Sequence, residues 1–163
     1  MSIVGEVIGK LKAISPARFA IVEGAVELSA VKGRPNALPA AYAFVKQELA
    51  GPNQRMTGPV LQPLEADIAV VIITENLADL PGDQLGEDLE ALKDLVRDAL
   101  LGLVPSGSQD GTPLEYVSGE VVKLGGGVVW HESLFSASLY ICEAGATDTE
   151  PDEDEDLDDD GSF

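Results

Sequence analysis

The sequence predicts an α+β fold, with a mainly antiparallel sheet and two helices packed on one face. Amphipathic segments at residues 3–14 and 83–103 have helical spacing, and an apolar β-branched run lies between them. Further strand-like segments flank this run and follow the second helix. Apolar residues make up 45% of the 163 residues, which is enough for a core without disulfides or a structural metal. The order helix, strands, helix, strands is typical of this class.

The first helix is predicted over residues 3–14. Its apolar residues recur at spacings of three and four, Ser2 is placed to cap it, and Pro16 lies just beyond it. Residues 18–23 predict a short strand and residues 25–31 a helical turn. The Gly, Pro and Asn content of residues 33–39 predicts a loop.

The middle of the chain predicts two strands joined by a long connection. Residues 40–45 form the first strand, and residues 51–63, with two Gly and three Pro, form a hairpin loop or arm. Residues 64–74 give the strongest strand signal. The run from Ile68 to Ile73 is nearly continuous and rich in β-branched residues, which suits a central strand covered on both faces.

The second helix is predicted over residues 83–103, with Asp83 as its cap and Pro105 beyond its end. Residues 114–122 and 128–142 predict two or three final strands, joined at the glycines 125–127. The apolar stripe of the helix comprises Leu85, Leu89, Leu92, Val96, Ala99 and Leu103.

The charge of the chain is strongly acidic, at −19 from 29 acidic and 10 basic residues. Residues 144–163 contain ten of the acids and no Lys or Arg, which leaves the rest of the chain at about −9. We therefore expect a folded domain over residues 1–143 and a disordered acidic tail over residues 144–163. Such a charge disfavours binding to the DNA backbone or to anionic membranes, and no segment is apolar enough to predict a membrane span.

No residue pattern predicts an active site, a metal site or a cofactor. The segment from His131 to Phe135 begins like a zinc-protease motif, but Phe135 occupies the place of the second His. We expect His131 to be a half-exposed strand or interface residue. We also expect Cys142 to be a small buried residue, and Trp130 to pack in the core or, alternatively, to anchor an interface. The chain is predicted to be a structural or interaction protein and not an enzyme.

Beyond these patterns, the segments over residues 3–142 follow a recognisable order. They are the N-terminal amphipathic helix, residues 39–45, Gly51-Pro52-Asn53, the strand to Thr74, residues 88–102 with Pro105, residues 113–119, residues 128–130, and the strand through Phe135 to Tyr140. This order resembles the tail terminator proteins of long-tailed bacteriophages and related prophages. Two features depart from the family pattern: Val104 stands where an aromatic residue is expected, and the acidic tail lies outside it.

The resemblance implies a virion protein that is assembled in the host cytoplasm and lies in the tail and neck region. It implies a homo-oligomeric ring, typically a hexamer, that caps the head-proximal end of the tail tube and supports head–tail joining. The implied partners are other copies of the chain, the tube protein, head–tail connector proteins and, in a contractile tail, the sheath. DNA would only pass through the lumen.

The arm and the sheet edges are the natural contact surfaces for such a ring, and Arg55, Met56, Trp130 and His131 are the candidate interface residues. Two other readings stay open. The chain could be another neck component, such as a connector or stopper, or a small cytosolic regulatory protein.

Overall fold

Residues 2–76 and 82–144 are described by the computed structural model, with residues 82–87 described by backbone alone. Over these residues, helices and strands alternate in much the order that the sequence predicts. The helices are α1 (Ile3–Lys12), α2 (Ala25–Ser29) and α3 (Gly82–Leu100), and a 3-10 turn covers Gln109–Gly111. The strands are β1 (Ile21–Glu23), β2 (Ala40–Ala50), β3 (Leu61–Glu75), β4 (Glu115–Gly125) and β5 (Val128–Cys142).

The five strands form one sheet in the order β1-β2-β3-β5-β4. The β1–β2 pair is parallel, and the other three neighbouring pairs are antiparallel. β3 is therefore the central strand, and β1 and β4 lie at the two edges. The predicted α+β class with a mainly antiparallel sheet is confirmed.

One face of the sheet, which we call the helix face, is covered by α1 and α3. Side chains from both helices, among them Val7 and Val96, pack against the even-numbered residues of β3. Burial of each large apolar side chain of this kind stabilises the fold by roughly 1.5–3 kcal/mol. The prediction of two helices on one face is confirmed. The β3 residues concerned are Ala66, Ile68, Val70 and Ile72.

The opposite face, which we call the open face, carries the odd-numbered residues of β3 and the even-numbered residues of β5. Its end nearest β1 is covered by Leu28 of α2, which packs with Tyr42 and Ile73. Residues 68–73 are at most 4% exposed. The predicted burial of this run on both sides is therefore confirmed.

Several element ends differ from the prediction for local reasons. α1 ends at Lys12, and the early strand shortens to Ile21–Glu23. α3 ends at Leu100 because Gly102 adopts a φ of 82°, a left-handed conformation that turns the chain away from the helix axis.

The β2–β3 hairpin is longer than predicted, and its connecting arm is correspondingly shorter. β2 continues to Ala50 and β3 begins at Leu61, which leaves residues 51–60 as the connection. Pro63 is part of β3 although it has no N–H to donate. Its carbonyl accepts a hydrogen bond from the Gly51 N–H at 2.8 Å, so it still contributes to the strand pairing.

Two predictions lie outside the described residues: the capping role of the Asp83 side chain, and the disordered acidic tail from residue 145 onwards. The predicted cap of α1 is present, since the Ser2 side chain accepts a hydrogen bond from the Gly5 N–H at 3.1 Å. Among the helices described, none is both long and apolar enough to cross a membrane.

Candidate assembly surfaces

The connection between β2 and β3, residues 51–60, is a structured arm. The side-chain oxygen of Asn53 accepts hydrogen bonds from the backbone N–H groups of Arg55 at 3.1 Å and Leu61 at 3.0 Å. The Gln54 N–H donates to the Leu61 carbonyl at 2.8 Å. These bonds join the two ends of the arm. The Asn53 side chain accepts the hydrogen bonds that a backbone carbonyl would accept in a tight turn.

Two of the predicted interface residues, Arg55 and Met56, lie next to each other on this arm. Met56 is fully exposed, at 101% of its reference area. Arg55 is half-buried, and its guanidinium forms no ion pair within the described residues. The arm therefore presents one apolar side chain beside one cation whose charge is not matched by a described acidic neighbour.

The outer edge of the sheet is formed by β4, which we call the β4 edge (Glu115–Gly125). In the described part of the chain, no strand pairs with its outer side, so a row of backbone N–H and C=O groups is available to a partner. Four apolar side chains on this strand are each at least 46% exposed. They are Val117, Val121, Val122 and Leu124.

The β4 edge is regular only over a short central segment. The pairing with β5 shifts register between Tyr116 and Ser118, and again between Val121 and Lys123. Such irregularities twist an edge and limit uncontrolled strand addition. Sequence reasoning placed a strand here but did not predict that it is an edge, because edge position depends on the pairing of distant strands.

Trp130 lies on the open face of β5 and is partly buried against the apolar cluster around Tyr42. The ammonium of Lys123, on the neighbouring strand, lies 5.1 Å from the centre of its ring. A cation–π contact of this kind contributes about 0.5–1 kcal/mol at an exposed site. The contact partly covers the ring, so Trp130 packs mainly within its own sheet.

His131 lies on the helix face and is only 3% exposed, so the expectation that it is half-exposed is wrong. It points under α3 because residues alternate between faces along β5, and its neighbour Trp130 takes the open face. Burial, followed by the positive charge of Lys93, lowers the pKa of the imidazole. Within the described residues, Nδ1 of His131 and the hydroxyl of Ser133 form no hydrogen bond.

The structure does not bring the four predicted interface residues together. Trp130 pairs with Ile73 near one end of β3, whereas the arm begins beyond Leu61 at the other end. The twelve intervening steps along β3 correspond to about 40 Å at ~3.3 Å per residue. Arg55 and Met56 therefore belong to one surface, and Trp130 and His131 to a different region.

Cys142, predicted to be buried, is exposed at the end of β5. It pairs with Leu61 at the last position of the β3–β5 ladder. The described residues contain no group of three or more His, Cys, Asp or Glu side chains that is placed to hold a metal ion.

The open face carries a row of carboxylates across three strands. Glu65 and Asp67 of β3 lie beside Ser138 and Ser136 of β5, and the Ser138 hydroxyl donates to Glu65 at 2.7 Å. Farther along, Glu120 of β4 is paired with Glu132 of β5.

One cation lies within this acidic row. Lys46 forms an ion pair with Glu132, and its pKa is raised chiefly by this hydrogen bond and also by the negative charge of Glu120 and Asp67. This row therefore has one lysine among four carboxylates and is acidic; a second lysine of the open face, Lys123, lies over Trp130.

Comparison with known proteins first defines the class of this protein: it is a structural component of a phage-type tail. A family model described as phage tail terminator protein matches residues 4–144. The chain belongs to this family, as its segment order suggests. Membership of a structural family also supports the expectation that the chain is not an enzyme.

A search of solved structures finds the same fold in a chain from the virion of a native gene transfer agent particle. The TM-score is 0.53 with 17% sequence identity, and the match covers 86% of this chain and 100% of the other. At this level of identity the likeness establishes the fold. Comparison with curated proteins gives no match.

Proposed function

We propose that this protein forms a closed ring, with six copies as the expected number, on the head-proximal end of the tail tube. The ring stops further tube polymerisation and provides the platform on which the head is joined. The observation that carries this proposal is the family match over residues 4–144, which spans all the helices and strands apart from the first residue of α1.

The physical role of such a cap follows from how a tube grows. Rings that stack head to tail form an open assembly, because each added ring presents the same face to the next one. A ring whose two sides differ can bind the end of the tube with one side, while its other side does not bind a further tube ring. The arm and the β4 edge support the ring itself, because two different surfaces at different places on one subunit allow head-to-tail contacts around a ring.

The acidic open face supports a lumen through which DNA passes without being held. Carboxylates such as Glu65 and Asp67 repel the phosphate backbone. The lysines of this face are engaged, since Lys46 pairs with Glu132 and Lys123 lies over Trp130. We propose that this face lines the pore. A ring structure with a basic lumen would refute this orientation.

The proposal is tested by co-expressing the tube protein of the same tail with and without this chain, and by measuring tube lengths by electron microscopy. We expect uniform, capped tubes with the protein present and overlong tubes without it. If the protein is found on the portal side of the neck and leaves tube length unchanged, it is a connector or stopper instead.

A further inference from the structure

The surfaces that join neighbouring subunits can be inferred from their chemistry, because the arm and the β4 edge are complementary but lie far apart on one subunit. The arm presents exposed Met56 beside Arg55, whose charge has no ion-pair partner in the described residues. The β4 edge presents an exposed carboxylate, Glu120, on the same strand as the exposed Val117 and Val121. We propose that the arm of one subunit docks on the β4 edge of the next. This inference rests on the proposed ring.

The chemistry of the two surfaces is complementary. A methionine side chain is unbranched and adapts to irregular apolar surfaces, and the β4 edge exposes Val117, Val121 and Val122. The Glu120 carboxylate is exposed and forms no ion pair with a described residue. It provides the opposite charge for Arg55, whose planar guanidinium suits a carboxylate partner.

Charge also supports a second copy of the chain as the partner that binds the β4 edge, although the chain is acidic. Residues 1–143 of each copy carry about −9, so contacts between copies must bring a cation to an anion at the interface. Of the nine other cations, five are engaged within the subunit. Lys46, Lys93, Arg34 and Arg97 all form ion pairs, and Lys123 lies over Trp130. Arg55 has no such partner among the described residues and lies on the arm, whereas the other unpaired cations lie in or next to α1 and α2; they are Lys10, Lys12, Arg18 and Lys32.

A subunit cannot make this contact with itself. The arm begins beyond Leu61, which pairs with Cys142 of β5, whereas Glu120 pairs with Glu132. The ten residues between these points on β5 correspond to roughly 33 Å at ~3.3 Å per residue. This separation exceeds what the arm can span while its base is held by Asn53, so the contact forms between copies.

The geometry of the contact favours a ring over a symmetric pair. The arm and the β4 edge are different surfaces, so each copy uses its arm on one neighbour and receives another arm on its own β4 edge. Such heterologous contacts close into rings when the rotation between copies permits it. The regular segment between the two register shifts, Ser118 to Val121, marks where the arm docks.

The test compares the mass of the assembled full-length protein with that of charge and apolar variants, by mass photometry over a dilution series. We expect Arg55→Glu and Glu120→Arg each to raise the concentration needed for assembly at least tenfold, and the double variant to recover most of the loss. Arg18→Glu is the matched control, since Arg18 is an exposed arginine with no ion pair in the described residues.

The apolar part of the contact between the arm and the β4 edge, which Met56 provides, is tested separately. Met56→Ser should weaken assembly at least tenfold, whereas Val26→Ser, at a residue 77% exposed on α2, should leave it unchanged. Assembly that is unaffected by Arg55→Glu and Met56→Ser overturns the inference.

The same variants separate this inference from the proposed function. If Arg55→Glu forms normal rings that no longer limit tube length, the arm contacts the tube protein, so this inference fails and the cap stands. If the wild-type protein forms no closed assembly, alone or on tubes, both proposals fail.

Discussion

Tyr116 occupies a crowded position between α3 and β5. Its ring meets the Phe135 ring edge to face, with centres 5.5 Å apart, and the Arg97 guanidinium lies 5.4 Å from its centre. The hydroxyl lies across Gly119, where a Cβ atom would overlap it and would also come within 3.0 Å of the His131 ring. The absence of a side chain at Gly119 therefore allows Tyr116 and His131 to pack together.

We expect Gly119→Ala to destabilise the protein by about 1–3 kcal/mol, because the added methyl group must displace Tyr116 or His131. Urea unfolding at neutral pH measures the loss. Gly9→Ala is the control, since Gly9 lies in α1 with nothing within 4 Å of an added Cβ, and it should stabilise the protein by up to ~1 kcal/mol. Equal effects of the two substitutions would contradict this account.

The buried imidazole of His131 makes stability depend on pH. Its pKa in the folded state is lowered by burial and by Lys93 and Arg97, with Glu90 and Glu120 acting in the opposite direction. An unfolded histidine titrates near pH ~6.5. Below that pH the histidine is protonated in the unfolded chain, whereas His131 of the folded chain stays neutral until its lower pKa is reached. The stability contributed by neutral His131 is complete above this pH and is lost as the pH falls toward the folded-state pKa.

We expect the free energy of unfolding to fall more between pH 7.5 and 5.5 in the wild type than in His131→Gln, which cannot titrate. Urea titrations at the two pH values measure the difference. Because carboxylates also titrate in this range, the informative quantity is the difference between the two proteins. An identical pH dependence would show that His131 does not contribute.

At the scale of elements, β3 and α3 fix the position of the other segments. β3 has the most buried residues of the described strands and pairs with β2 on one side and β5 on the other. α3 lays Leu92, Val96 and Leu100 on the helix face of this sheet. α3 also carries ion pairs beside this stripe, such as the pair between Arg97 and Asp94 at 2.6 Å. The helix is held by its apolar stripe, because exposed ion pairs contribute little.

Two adjacent leucines test whether burial of apolar side chains holds α3 on the sheet. Leu100 is fully buried, whereas Leu101 is 48% exposed. We expect Leu100→Ala to cost about 2–5 kcal/mol, since it leaves a cavity between α3 and the sheet, and Leu101→Ala to cost less than ~1 kcal/mol. Thermal or urea unfolding of both variants provides the measurement. A comparable loss at the two positions would mean that α3 is not anchored as described.

At the scale of the whole molecule, charge opposes association while the proposed contacts favour it. The chain carries −19 overall, and the repulsion between copies acts over a distance set by the ionic strength. An ion pair between Arg55 and Glu120 would act at short range inside a contact, where added salt screens it less.

We therefore expect assembly to strengthen when the salt concentration rises from about 20 mM to 200 mM, because the Debye length falls from roughly 20 Å to 7 Å. Light scattering of the full-length protein at fixed concentration measures the assembled fraction. Dissociation on addition of salt would show that attraction between charges, and not apolar contact, dominates the interface.

The arm shows where local patterns suffice and where they do not. Its Gly and Pro residues predict a connection at the right place. Its true length depends on how far β3 continues to pair, and this pairing includes Pro63, which lies opposite Tyr140 of β5. Composition alone therefore made the arm three residues too long at its end.

The sequence by itself determined the two amphipathic helices, the central strand and the α+β class, because each is encoded in a local period of 3.6 or 2 residues. Only the tertiary structure decided that β4 is an edge, that His131 lies under α3 and that Cys142 is exposed. A local period shows which side chains share a face. Which face is covered, and which strand lies outermost, is decided by contacts between residues far apart in the chain.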